Sequence, residues 1–114
     1  MDFYRVTDTV RGIPRSPARH PGEMALVASM SILEFEEMRA LWRLLNAQDL
    51  AADYFRDFRW SRAQVKQILR VFRRAYEERE TGGVQKMRRV LETAAQADCG
   101  VIAYSDVRTA PRVD

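Results

Sequence analysis

Residues 61–80, SRAQVKQILRVFRRAYEERE, are the stretch that decides the fold class predicted from this sequence. Apolar side chains recur there at intervals of three and four residues, which is the spacing of one face of an α-helix. Ser61 and Gln64 provide a capping box for the start of that helix, and Gly82 with Gly83 predicts a glycine-rich end. We therefore predict a helix over about residues 62–80. Its buried face is predicted to consist of Val65, Ile68, Leu69, Phe72 and Tyr76.

Positive charge is concentrated in this helix and just after it. Between Ser61 and Arg89 there are nine basic and three acidic residues, a local balance of +6, whereas the whole chain carries +3, so the remainder sums to −3. A cationic sector on one helix is the usual electrostatic footprint of a protein that binds an acidic partner. The residues predicted to bind that partner are Arg62, Lys66, Arg70, Arg73 and Arg74.

Local ion pairing is an alternative explanation for part of this sector. Arg73 and Glu77 are one helical turn apart, and so are Arg74 and Glu78, and such pairs stabilise helices. The other three cations of the sector have no acidic partner at that spacing within the helix. They are the strongest candidates for contact with another molecule.

The central part of the chain predicts two further helices. Ser31 and Glu34 form a capping box, and the apolar spacing after them predicts a helix to about Leu45 that lies at the centre of the core. Asn46 is then typical of a new N-cap, which predicts a short second helix over residues 47–58.

The two ends of the chain have a different composition. Residues 3–10 alternate loosely and favour a short strand, whereas the three prolines and two glycines of residues 12–22 exclude a helix. A further helical pattern covers residues 84–98. Residues 101–104 have strand character, and residues 108–114 are typical of a frayed tail.

Together these elements predict a mainly α fold, a compact bundle of three to four helices with short strands near the N- and C-termini. A chain of 114 residues with 46% hydrophobic content is long enough for one domain and too short for two. We assign residues 1–23 to an extended N-terminal arm, residues 24–107 to a single helical domain and residues 108–114 to the tail.

Residues suited to catalysis or metal binding are scarce in this sequence. The one histidine, His20, lies in the arm, where nothing holds it beside the single Cys99 as a general base must be held. Asp49, Asp53 and Asp57 recur every four residues and are compatible with a cation site, but a solvated helix face explains them better. We therefore predict no catalytic residue, no metal, no cofactor and no enzyme activity.

Cysteine usage and hydropathy indicate where the protein acts. A single cysteine cannot form an internal disulfide and suits a reducing cytoplasm. No apolar run approaches the roughly 18 residues that span a bilayer, and residues 1–5 lack the basic start of a signal peptide. The prediction is a cytoplasmic protein that does not contact a membrane.

The order of elements around the basic helix favours nucleic acid as the partner. A short helix over residues 47–58, a turn over residues 59–61 and a longer basic helix have the order of a helix-turn-helix. The basic helix would contact phosphates or base edges, and the arm would reach along the backbone or into a minor groove. Against this interpretation, the turn has no glycine, and the aspartates of the short helix would repel phosphate. The arm residues predicted to make contacts are Arg11, Arg15 and Arg19.

A protein partner is the alternative. The chain would then be an inhibitor or adaptor that docks its basic helix and exposed aromatic residues on an acidic protein surface. Trp60 is the candidate interface anchor, because it lies in a connection rather than on an apolar stripe, although a tryptophan beside a helix cap is also typical of a lid on the core. Homodimerisation, with acidic and basic helices meeting across a two-fold axis, is a third alternative.

Overall fold

The computed structural model describes residues 1–77 and 81–106, and within them it contains four β-strands and four α-helices. The strands are β1 (Asp2–Val6), β2 (Met24–Ser29), β3 (Phe58–Trp60) and β4 (Gly100–Tyr104). The helices are α1 (Ile32–Glu36), α2 (Arg39–Ala47), α3 (Arg62–Tyr76) and α4 (Gly82–Gln96), and a single 3-10 turn covers Pro17–Arg19. The mainly α bundle predicted from the sequence is wrong, because the strands form one antiparallel sheet against which the helices pack.

The sheet has the strand order β2-β1-β4-β3, so the two strands nearest the chain ends form its centre. β1 pairs with β4 in a register that runs from Asp2 opposite Tyr104 to Val6 opposite Gly100. All five residues of β4 are buried, as expected of a strand that is covered on both faces. Strands near both termini were predicted as additions to a helical bundle, and the structure makes them the centre of the fold.

The two faces of the sheet contact different parts of the chain. One face contributes Phe3, Val101 and Ala103 to the main core, which the four helices share. The other face carries a smaller cluster that includes Ile102 and, from the segment after β1, Val10.

Residues 7–23 contact this second face of the sheet. Arg59 of β3 donates from Nη1 to Gly12 O at 2.7 Å, and the Tyr104 hydroxyl of β4 donates to Pro14 O at 2.7 Å. The segment assigned to an N-terminal arm therefore contributes residues both to the sheet, as β1, and to the layer against its second face.

The predicted helix from Ser31 to Leu45 is divided into α1 and α2. Its capping box is confirmed, with the Ser31 hydroxyl accepting from the Glu34 N–H at 3.2 Å and the Glu34 carboxylate accepting from the Ser31 N–H at 3.0 Å. Across the break between the two helices, Trp42 Nε1 donates to Phe35 O at 2.6 Å. The start of the helix was predictable, and its interruption was not.

The segment after α2 is a loop, and the helix predicted to follow Asn46 is absent. α2 ends in a Schellman motif, in which the Leu50 N–H donates to Leu45 O at 2.8 Å and Asp49 takes the left-handed conformation (φ 60°). Asn46 lies within α2 and makes two hydrogen bonds with Ala52. Asn46 Nδ2 donates to Ala52 O at 2.9 Å, and Asn46 Oδ1 accepts from the Ala52 N–H at 3.2 Å. The chain then enters β3, so the helix-turn-helix order is not present.

α1 and α4 approach each other closely at Gly83. A Cβ atom there would lie 2.3 Å from Glu34 O and 2.7 Å from a Glu37 carboxylate oxygen, which accepts the Gly83 N–H at 2.9 Å. The glycine pair was predicted to end the basic helix, but it begins α4, whose N-cap is Thr81. Gly83 is required because only a residue without a side chain lets the two helices pack this closely. Local sequence signals do not distinguish such a packing glycine from a glycine that ends a helix.

Replacing Gly83 by alanine is expected to destabilise the protein by about 2 kcal/mol or more, because main-chain atoms of α1 must move to admit the Cβ. Gly82→Ala is the matched control, since its Cβ would meet only the end of the flexible Glu34 side chain, at 3.2 Å. Alanine is the better helix former, so we expect this control to be neutral or stabilising by up to about 1 kcal/mol. Urea denaturation measures both variants, and equal effects would contradict the close approach.

An ion pair joins α1 to α4 beside this contact. Lys86 Nζ lies 2.9 Å from Glu34 Oε1 and 2.8 Å from Ser29 O. The hydrogen bond from Lys86 makes the largest contribution to lowering the pKa of the Glu34 carboxyl, and the hydrogen bond from the Ser31 N–H makes the second largest. A carboxyl whose pKa is lower in the folded state stabilises the fold above its unfolded pKa. That stabilisation is lost as the pH falls through the folded pKa.

We expect Glu34→Gln to reduce the acid dependence of stability, while the glutamine keeps the capping box. At neutral pH the variant should be less stable than the parent, and the difference should shrink between about pH 5 and pH 3, where the parent carboxylate takes up its proton. In a Lys86→Met background, adding Glu34→Gln should produce much less of this pH-dependent difference in stability. Urea denaturation at successive pH values measures the effect, and a difference that stays constant with pH would refute the assignment.

Candidate functional site

α3 presents the predicted cationic residues to solvent because its other face is buried. The capping box at its start is confirmed: Ser61 Oγ accepts from the Gln64 N–H at 3.1 Å, and Gln64 Oε1 accepts from the Ser61 N–H at 2.8 Å. The predicted apolar stripe is also confirmed as the buried face, which consists of Val65, Ile68, Leu69, Phe72 and Tyr76. The five predicted binding residues are all exposed, but their surroundings divide them into two groups.

The group at the N-terminal end of α3 is neutralised within the chain. Arg62 Nε lies 3.3 Å from Asp8 Oδ2, and Arg62 Nη1 lies 3.2 Å from Asp98 Oδ2. Lys66 Nζ lies 2.9 Å from Asp98 Oδ1, and this hydrogen bond makes the largest contribution to lowering the pKa of the Asp98 carboxyl. Two cations and two anions sum to zero, so this end of the helix carries no net positive charge.

Strand register brings these residues together. At one end of the sheet Val6 of β1 lies opposite Gly100 of β4, and β3 also ends there. Two residues from these strand ends along the chain lie the three charged residues: Asp8 after β1, Arg62 after β3 and Asp98 before β4. Their proximity therefore follows from the pairing of strands that are far apart in the sequence, which inspection of the basic helix alone does not reveal.

The group at the C-terminal end of α3 is not neutralised in this way. Arg70, Arg73 and Arg74 form no ion pair with any other residue among residues 1–77 and 81–106. The suggested pair of Arg73 with Glu77 is thus absent from this part of the chain, and the suggested pair of Arg74 with Glu78 lies outside the described residues. Within the described residues, these three exposed arginines therefore have no carboxylate paired with them.

A cleft of about 360 Å³ lies between this end of α3 and α4. On its α4 side, Arg88 Nη2 donates to Tyr76 O at 3.0 Å, and the guanidinium carbon lies 5.8 Å from the centre of the Phe72 ring. These two contacts hold the guanidinium in place by a hydrogen bond and a cation–π interaction. The cleft is lined by Arg73, Arg74, Glu77 and Arg88.

We define the arginine face as the exposed or cleft-lining arginines of both helices: Arg70, Arg73, Arg74, Arg88 and Arg89. Arg89 is exposed and lines a second hollow beside Arg88, together with Glu92. Both α4 arginines lie in the basic segment of the sequence, yet they were not predicted as binding residues. A helical wheel of α3 cannot show which residues of the next helix lie beside it, and the local charge excess was the only signal for them.

Trp60 is a core residue and offers no surface for an interface anchor. Its side chain is 0% exposed, and its ring centre lies 5.1 Å from that of Phe58 and 6.4 Å from that of Trp42. The indole Nε1 donates to Ala51 O at 2.7 Å. The tryptophan is in β3 and not in a helix connection, which is why its position in the sequence was misleading.

The arm arginines are exposed but lie apart from the arginine face. Arg11, Arg15 and Arg19 belong to the segment that contacts the second face of the sheet, whereas α3 and α4 pack on the first. The structure therefore does not bring these three residues into one site with α3.

The three aspartates predicted to line a helix lie in the loop before β3. Asp53 Oδ1 accepts the Phe55 N–H at 2.9 Å, and Asp57 Oδ1 accepts the Ser105 N–H at 2.8 Å. Their spacing reflects turn and loop contacts and not a solvated helix face. In the described part of the chain, no cluster of three or more His, Cys, Asp or Glu side chains is arranged to hold a metal ion.

Comparisons with known proteins give no further indication of function. The sequence matches no protein-family model, no curated protein and no solved structure. Across residues 1–77 and 81–106, none of the helices combines the length and the apolar character needed to span a membrane.

Proposed function

We propose that this protein is a non-enzymatic binding module that engages nucleic acid through its arginine face. One observation carries the proposal. Arg73 and Arg74 of α3 line one cleft with Arg88 of α4, and within the described residues neither α3 arginine has an acidic partner. Arginines from two helices around one concave surface favour a polyanionic ligand, and two of them, Arg73 and Arg74, form no ion pair with residues 1–77 or 81–106.

The chemistry of arginine suits this role. A guanidinium group donates two parallel hydrogen bonds to a phosphate, and it does so without changing its charge. Arg88 is already oriented by Tyr76 and Phe72, so it loses less conformational freedom on binding than a fully mobile side chain would. The exposed arginines of α3 can adjust their side chains to the path of the nucleic-acid backbone, while the Arg88 guanidinium stays in place.

The shape of the surface favours phosphate contacts over base reading. The apolar side of α3 is buried against the rest of the fold, and a second helix lies directly beside it. A recognition helix must enter the major groove with its base-reading residues free, and the helix-turn-helix order that would allow this is absent. We expect binding with little sequence preference and a strong dependence on salt.

An acidic protein partner is the second candidate function, and Glu77 favours it. This carboxylate lines the cleft with Arg73 and Arg74, and Glu92 lies beside Arg89 in the second hollow. A phosphate chain is repelled by these glutamates, whereas a protein surface of mixed charge can pair with them. An inhibitor or adaptor role would use the same arginines against carboxylates.

We expect the combined Arg73→Glu and Arg74→Glu variant to lose at least about tenfold in affinity for nucleic acid, because two phosphate contacts become repulsions. The control is Arg43→Glu with Arg56→Glu, an equal change of net charge at exposed arginines away from the cleft. Fluorescence anisotropy with labelled DNA and RNA of about 20 nucleotides, between about 50 and 200 mM salt, measures affinity. For the parent, log affinity should fall against log salt with a slope of about −3.

Two results would contradict the nucleic-acid proposal. One is an equal loss of affinity in the cleft variant and its control, which would show that the loss comes from the change of net charge and not from the position of the arginines. The other is a parent protein that binds none of the probes at low salt. Affinity capture from lysate with and without nuclease then separates the candidates, since a protein partner survives nuclease treatment and a partner bridged by nucleic acid does not.

A further inference from the structure

The two ends of α3 carry similar numbers of cations and very different net charges. Arg62 and Lys66 are matched by Asp8 and Asp98, with nitrogen–oxygen distances of 2.9 to 3.3 Å. Further along the same helix, Arg70, Arg73 and Arg74 form no ion pair with a carboxylate among residues 1–77 and 81–106. A polyanion that followed the whole cationic side of α3 would meet two carboxylates at its N-terminal end.

Asp98 lies in a hydrogen-bonded turn at the end of α4. It occupies the left-handed position (φ 53°) of a Schellman motif at the end of α4, where its N–H donates to Ala95 O at 3.1 Å and the Cys99 N–H donates to Ala94 O at 2.8 Å. Glycine is the usual residue at such a position because it has no Cβ to strain. An aspartate there accepts backbone strain and places a short side-chain carboxylate beside Arg62 and Lys66.

A purely stabilising role accounts poorly for this arrangement. The charged side chains of the pairs are all more than half exposed, between 53% and 59%. Exposed ion pairs contribute little to stability, because water screens them and ordering the side chains costs entropy. The more direct consequence of the carboxylates is electrostatic, since they cancel the positive field at this end of the helix.

We infer that Asp98, assisted by Asp8, masks Arg62 and Lys66 and confines a bound nucleic acid to the arginine face. This inference rests on the proposed function. The masked cations form a second phosphate-binding subsite that the parent protein does not use. The aspartates thereby limit the number of phosphate contacts, which keeps sequence-independent binding weak.

Asp98→Asn tests the inference, because asparagine tolerates the left-handed conformation and keeps the size of the side chain. We expect affinity for a labelled single strand of about 20 nucleotides to rise about 5- to 10-fold at low salt, and the salt slope to steepen by about 1 to 2, as two further cations become available. Asp49→Asn is the matched control. It makes the same change at the left-handed position of the other Schellman motif, where no cation is paired with the carboxylate in the described part of the chain.

A second substitution shows whether Arg62 is the residue that is released. Arg62→Glu should change the affinity of the parent less than about twofold and should abolish the gain in the Asp98→Asn background. Asp98→Gly repeats the test with the residue that best fits the backbone, so a folding defect of one variant does not decide the outcome. Circular dichroism confirms that each variant is folded before affinity is compared.

The outcomes separate this inference from the proposed function. If the parent binds and loses affinity on Arg73→Glu with Arg74→Glu, but neither Asp98 variant gains affinity over Asp49→Asn, the masking role is refuted and the arginine face stands. If Arg62→Glu weakens the parent as strongly as the arginine-face variant, Arg62 is already in use and masking is again refuted. If the parent binds no nucleic acid, the proposed function fails and the inference fails with it.

Discussion

The antiparallel pairing of β1 with β4 is the interaction on which the rest of this structure depends. It joins Asp2 to Tyr104, which are nearly a chain length apart, and closing such a loop costs conformational entropy. Burial of β4 on both faces offsets this cost. The outer strands add to this pair on either side, and the helices cover one face of the resulting sheet. Without this central pairing, the sheet would separate into two isolated strand pairs, β1 with β2 and β3 with β4.

The same pairing also decides where charge accumulates. Because the ends of β1, β3 and β4 meet, two aspartates from distant loops reach the first turns of α3 and cancel its positive charge there. The other end of α3 is beyond their reach and lies beside α4, whose arginines extend the cationic surface. Among the described residues, a basic segment that is continuous in the sequence is thus divided in space into an end whose cations are paired with aspartates and an end where Arg70, Arg73 and Arg74 form no ion pair.

Local features were predicted well, and those that depend on distant contacts were not. Both capping boxes form as expected, because a hydroxyl and a carboxylate or amide three residues apart are sufficient to make them. The buried stripe of α3 was likewise correct. Asn46 and the two glycines before Val84 gave misleading signals, since their roles are set by contacts with Ala52 and with α1. Within the candidate site, all five predicted cations are exposed, but of the three that were expected to lack an acidic partner only Arg70 has none among residues 1–77 and 81–106, because Arg62 and Lys66 pair with aspartates.

The sequence by itself determined the amphipathic basic helix, its starting point and the excess of positive charge around it, because helix periodicity and capping act over a few residues. Only the tertiary structure decided that the strands near the chain ends are the centre of a four-stranded sheet, that Trp60 is buried, and that Arg88 lies beside Arg73 and Arg74. Strand pairing and the distribution of surface charge depend on which distant segments contact each other. The burial of apolar surface in the whole fold determines those contacts.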